Sequence, residues 1–112
     1  MQIRKSYQRV NPELLYAEVR DFTLKQGASI GEEKMETYAL PDDSSTFMTR
    51  ATLTFKVGAD GKECLRAHIV GSVKSETKLM LDVDEKLFPT EKLNALQGDL
   101  DFIFGSYEVK AS

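Results

Sequence analysis

Few side chains in this sequence are suited to covalent chemistry. Its 112 residues include one histidine, His68, one cysteine, Cys64, and no tryptophan. His68 is the best candidate for general acid–base work, which needs a nucleophile or carboxylate within hydrogen-bond reach. No spacing supplies one: the strand register derived below surrounds His68 with Thr52, Arg66 and Val70. A surface histidine is the simpler reading, and Cys64 reads as a small, partly buried thiol. Metal binding needs more His and Cys than the chain holds, and its acidic residues lack calcium-loop spacing. No phosphate loop or nucleophile elbow is present. An enzymatic role therefore ranks lowest, with no cofactor and no metal expected.

A second group is electrostatic. Arg50, Lys56, Arg66, His68 and Lys78 fall on one side of the strand-like runs, with Tyr38 nearby. Such a cluster could bind a phosphate or an acidic partner. Glu36 opposite Arg50, and Asp82 on the same side, offset part of that charge, so a mixed solvated face is the bland alternative. No aromatic residues interleave to stack bases. The net charge of -3 and pI near 5.2 give no long-range attraction to nucleic acid or to anionic membranes. The opening MQIRKSYQRV has no apolar run of the signal-peptide kind, and no stretch approaches a membrane span. A single cysteine cannot form an internal disulfide. The expectation is a cytoplasmic, soluble, single-domain chain with no nucleic-acid or membrane partner.

The elements that position these groups follow from periodicity. Residues 2–10 read as a strand through Ile3, Tyr7 and Val10. Asn11-Pro12 starts a helix over 12–26, since Asn caps the free amides and Pro tolerates the first position. Leu15, Val19 and Phe22 form its apolar stripe, and Gly27 stops it. A strand over 34–40 places Met35, Thr37 and Ala39 inward, and 41–45 reads as a loop by composition. From Phe47 to Val57 apolar and polar residues alternate as in a half-buried strand. A three-residue loop at 59–61 pairs Gly58 with Lys62, so Phe55 faces Leu65, Leu53 faces Ala67 and Ala51 faces Ile69. A turn at Ser72-Val73-Lys74 would set Ile69 against Thr77, Ala67 against Leu79 and Leu65 against Leu81. A final helix, with Pro89 near its first turn, carries Leu93, Leu96, Leu100, Ile103 and Tyr107 as a stripe with Phe104 beside it. Gly98 and Gly105 inside that helix each cost roughly 1 kcal/mol relative to Ala, which calls for a packing reason.

The resulting order is strand, helix, four strands, helix: an α+β domain with a curved antiparallel sheet covered by two helices. This order resembles the helix-grip topology of START-like and pollen-allergen-like ligand carriers and of TATA-binding-protein halves. The likeness covers nearly the whole chain as architecture, with no family motif to carry over. It implies a ligand space between sheet and C-terminal helix. There Thr37, Thr49, Ala51, Leu53, Ala67 and Ile69, with Phe104 and Tyr107 from the helix, could hold a small apolar molecule oriented by hydroxyls. The alternative is that the helix side chains fill this space. A non-catalytic small-molecule-binding module is the first functional expectation.

The second comes from the back of the last helix, where Ala95, Gly98, Phe102, Gly105, Ser106 and Val109 are small or apolar. A helix covering a sheet normally shows charge there. Its absence suggests a homodimer through paired C-terminal helices, and thus an adaptor or chaperone-like interaction module. An isolated exposed Phe, or a helix ending at Gly105 and turning back, is the competing reading.

Overall fold

The structure, a computed structural model, describes residues 1–41 and 43–109, with only the backbone described for 43–45. The elements are β1 (Gln2–Gln8), α1 (Pro12–Lys25), β2 (Ser29–Leu40), β3 (Asp43–Val57), β4 (Lys62–Gly71), β5 (Glu76–Val83) and α2 (Thr90–Phe104). A 3-10 turn, Gly105–Tyr107, follows. Strands β2 to β5 form an antiparallel meander, and β1 joins at its β5 side, giving the order β1-β5-β4-β3-β2. The architecture is the expected α+β arrangement, with both helices on one face of a curved sheet.

Local chemistry accounts for the helix bounds. The Asn11 side chain accepts the Glu13 amide at 2.8 Å, and Pro12 follows at the first helical position. Gly27 takes a φ of 97° just past the end, a backbone state that only glycine adopts without strain. Leu15 and Val19 are fully buried with Phe22 packed beside them, while Leu14 points outward. The Lys92 ammonium donates to the Gln26 carbonyl at 2.6 Å, so the start of α2 meets the end of α1. The two helices therefore run antiparallel.

The central register is the expected one: Phe55 faces Leu65, Leu53 faces Ala67 and Ala51 faces Ile69. The hairpin end differs. Val57, not Gly58, faces Lys62, and Gly58 through Gly61 form the turn, closed by the Gly61 amide on the Gly58 carbonyl at 3.2 Å. One extra residue, Cys64, then bulges between the Lys56–Glu63 and Phe55–Leu65 pairs and restores the register. Cys64 and Leu65 are consecutive yet both 1% exposed, as a bulge permits.

The β4–β5 register is displaced by two residues from expectation. Ile69 faces Leu79, Ala67 faces Leu81 and Leu65 faces Val83. The turn is longer because Ser72 organises four residues: its carbonyl accepts the Ser75 amide at 3.1 Å and its hydroxyl the Lys74 amide at 3.2 Å. A shift of two keeps the same side chains inward, so the core survives the error.

Three bounds also change. β2 begins at Ser29 rather than near residue 34, and β3 begins at Asp43, inside the expected loop; that loop's Asp42 lies outside the described residues. β1 stops at Gln8, and Arg9 turns the chain with a φ of 62°. On α2 the buried stripe is Leu93, Leu96, Leu100 and Phe104. Ile103 and Tyr107 are 41% and 50% exposed. Tyr107 lies beyond the end of the helix, and Phe104, not its neighbour Ile103, takes the last inward position, its ring meeting Tyr7 edge-on with centroids 6.0 Å apart.

Gly71 marks the tightest place in the sheet. A Cβ there would overlap both the backbone and the hydroxyl of Thr77, which donates to the Val10 carbonyl at 2.8 Å and ties β5 to the β1–α1 connection. Gly71→Ala should therefore lower unfolding free energy by about 1–3 kcal/mol through overpacking. A urea titration reading the midpoint at unchanged slope would show it.

Candidate functional site

The side chains expected to line a cleft are not gathered around an open space. Ala51, Leu53, Ala67 and Ile69 are 1–2% exposed within the core shared with α1 and α2. Thr49 is buried, and its hydroxyl lies 3.2 Å from that of Thr37 on β2, so each threonine already has a partner. Phe104 packs on Tyr7, while Tyr107 sits apart on the 3-10 turn. On β3 and β4 these residues, which alternation marks as inward, are buried, whereas Thr37 on the edge strand β2 is exposed, as are its neighbours Met35 and Ala39. Whether helix side chains fill the space above them depends on chain path, which periodicity does not carry.

The back of α2 is open. Phe102 is 91% exposed, Ala95 and Gly98 beside it are exposed, and a Cβ built on Gly98 would meet no atom within 4 Å. Gly98 thus has no packing reason within one copy of the chain. Gly105 ends the helix. Val109 does not continue the strip, because its amide donates to the Ser6 carbonyl at 2.7 Å and Glu108 bridges to Tyr7 beside β1. The chain does turn back after Gly105, leaving Ala95, Gly98, Phe102 and Gly105 as the helical part of the strip.

Three charged groups lie between elements. Lys5, on the inner side of β1, is 3.2 Å from Asp101 and 3.5 Å from Glu108, and so anchors the end of α2 to the sheet. Burial first, then the Glu108 and Asp101 carboxylates, push the Tyr7 phenol well above its ordinary value, so it stays protonated. Burial likewise raises the Cys64 thiol, which disfavours the nucleophilic thiolate. A depression of about 730 Å³ runs from Cys64 past Glu63, Asp82, Asp84 and Glu85. It sets that inert thiol among acidic side chains, with Lys86 and Met1 also in the lining.

Glu18 on α1 and Asp99 on α2 form a carboxyl pair across the helix interface. Its bond to Asp99, then burial, then the Asp99 charge raise Glu18 to about 7. Asp99 Oδ2 is buried without a donor when both groups are ionised; a proton on Glu18 supplies one. No sequence spacing links positions 18 and 99, so only the fold reveals the pair.

Compared with known protein-family models, curated proteins and solved structures, the chain matches none.

The pair generates a pH dependence. Glu18 holds its proton more tightly folded than unfolded, so its stabilising contribution is complete below about 4.5 and is lost as pH rises to about 7. Above that, two carboxylates face one another between the helices. Glu18→Gln should match wild type near pH 4.5 and melt a few degrees higher at pH 8. Thermal unfolding of both proteins across that range tests it, and a difference independent of pH would contradict the assignment.

Proposed function

We propose that this protein is a non-catalytic interaction module that associates with a second copy of itself through α2. One observation carries the reading: Phe102, 91% exposed, stands four residues from Gly98, above which there is open space. Residues four apart are neighbours on one helix face, so knob and hole lie side by side. Two α2 helices packed antiparallel about a two-fold axis would seat each Phe102 over the partner copy's Gly98, with Ala95 against Gly105. An isologous interface needs this self-complementarity. Glycine also lets backbones approach closely, which accounts for a residue costing about 1 kcal/mol inside an otherwise good helix.

A small apolar ligand between sheet and α2 is the competing proposal. It would displace side chains now 0–2% exposed, including Leu96, Leu100 and Ile69. The density of that core therefore favours the interaction module. No helix among the described residues is long and apolar enough to cross a membrane. A single buried thiol is at ease in a reducing cytoplasm, which we take as the setting.

Native mass spectrometry of the purified protein should show a dimer without additional mass. Phe102→Asp should give monomers with an unchanged circular dichroism spectrum. Gly98→Gln should also dissociate the dimer while improving helix propensity. A wild-type monomer, or a dimer surviving both substitutions, would end the α2 reading, whereas a co-purifying small mass would favour the ligand carrier.

A further inference from the structure

Both helices cover one face of the sheet, so the opposite face is uncovered, and its side chains fall on a grid set by the registers. One row across the strands reads Arg4, Met80, His68, Thr52, Lys34, and the next reads Ser6, Lys78, Val70, Arg50, Glu36. Neighbouring strands lie about 4.8 Å apart and successive same-face residues about 7 Å apart. Arg4, His68 and Lys78 therefore surround Met80, near enough for long side chains to converge above it. A depression of about 540 Å³ opens at this place, lined by Arg4, Ser6, His68, Val70, Lys78 and Met80 among others.

Two of the three basic groups are held in position by neighbours. Asp82 accepts from the Gln2 amide at 3.2 Å, and the Gln2 oxygen accepts from Arg4 Nε at 3.1 Å. This chain orients the guanidinium and leaves its two terminal nitrogens for another acceptor. Thr52 Oγ1 lies 3.3 Å from His68 Nδ1, which leaves Nε2 for another partner. Lys78 is exposed and has no ion-pair partner among the described residues. On the same face of β5, Glu76 stands two residues to one side of Lys78, and Asp82, engaged by Gln2 and opposite Arg66 in the register, stands four residues to the other.

We infer that the open sheet face binds a small organic phosphate, with Arg4, His68 and Lys78 on its phosphoryl oxygens and Val70 and Met80 under its apolar body. The oriented guanidinium, the imidazole, the ammonium and the Ser6 hydroxyl supply donors for three terminal oxygens, more than a carboxylate offers. The floor between them is apolar, which a bare inorganic ion would leave unused. A nucleic-acid strand fits less well. No Phe, Tyr or Trp lines the depression, and Glu32, Glu36, Glu76 and Asp82 stand around the basic centre where a longer polyanion would run. This site lies on the face opposite α2 and does not depend on the dimer.

Phenyl phosphate is a suitable probe, followed by amide chemical shifts of the isotopically labelled protein at constant ionic strength. Expected are saturable shifts around Ser6, His68, Lys78 and Met80, at high-micromolar to millimolar dissociation constants suited to an exposed site. Lys78→Glu, at an exposed position, should weaken binding by about tenfold or more (about 1.4 kcal/mol) without changing the melting temperature, since it puts a repelling carboxylate where an attracting ammonium stood. Inorganic phosphate should bind more weakly than phenyl phosphate. The inference fails if no saturable shift develops by tens of millimolar, if sodium chloride reproduces the shifts, or if Lys78→Glu leaves them unchanged. It also fails if phosphatidylglycerol vesicles or a thymidine oligonucleotide capture the protein while phenyl phosphate does not.

Discussion

Leu53, Leu65, Ala67, Ile69, Leu79 and Leu81 on the sheet meet Leu15, Val19, Leu93, Leu96 and Leu100 on the helices, all buried to within about 2%. This single apolar interface is the constraint on which the rest of the molecule depends. Each sheet residue reaches it because strands alternate their side chains, and each helix residue because three- and four-residue spacings share a face. With both helices on one side, the opposite side of the sheet must meet solvent, and its residues are free to be charged. The outer face of α2 is left uncovered by the same arrangement. The two surfaces that can do something are thus consequences of how one core is closed.

Polar groups fix the details that the apolar interface leaves open. Lys5 draws Asp101 and Glu108 together and so sets where α2 ends against β1. Lys92 ties the start of α2 to the end of α1, and Thr77 ties β5 to Val10. These bonds join segments far apart in the chain, so they specify one arrangement among several the leucines would accept. Glu18 and Asp99 do the opposite. They place two acids at the helix–helix contact, where ionisation of both weakens the packing. A pH-sensitive junction thus sits where the helices lie side by side.

Much of the fold was legible in the residues. The Asn11-Pro12 start and Gly27 stop bounded α1, and the alternation from Phe47 to Val57 gave the pairing with β4 across a hairpin. The errors cluster where local rules compete. Ser72 builds a four-residue turn in place of three, and the Cys64 bulge absorbs a one-residue offset that alternation does not announce. Helical periodicity does not say where a helix stops, which leaves Tyr107 outside the stripe, nor which of the adjacent Ile103 and Phe104 turns inward.

Sequence alone determined the element order, the α+β class and the inward side of each strand, because those follow from periods of two and 3.6 residues and from local capping. It also singled out Phe102 and Gly98 as unusual for a surface helix. Only the tertiary structure decided that Ala51, Ala67 and Ile69 are packed under helix side chains, since that depends on where two distant helices lie. The same holds for Glu18 with Asp99, and for Arg4 with His68 and Lys78. Members of each group are separated along the chain by tens of residues, and only the closure of the sheet and the antiparallel helices brings them together.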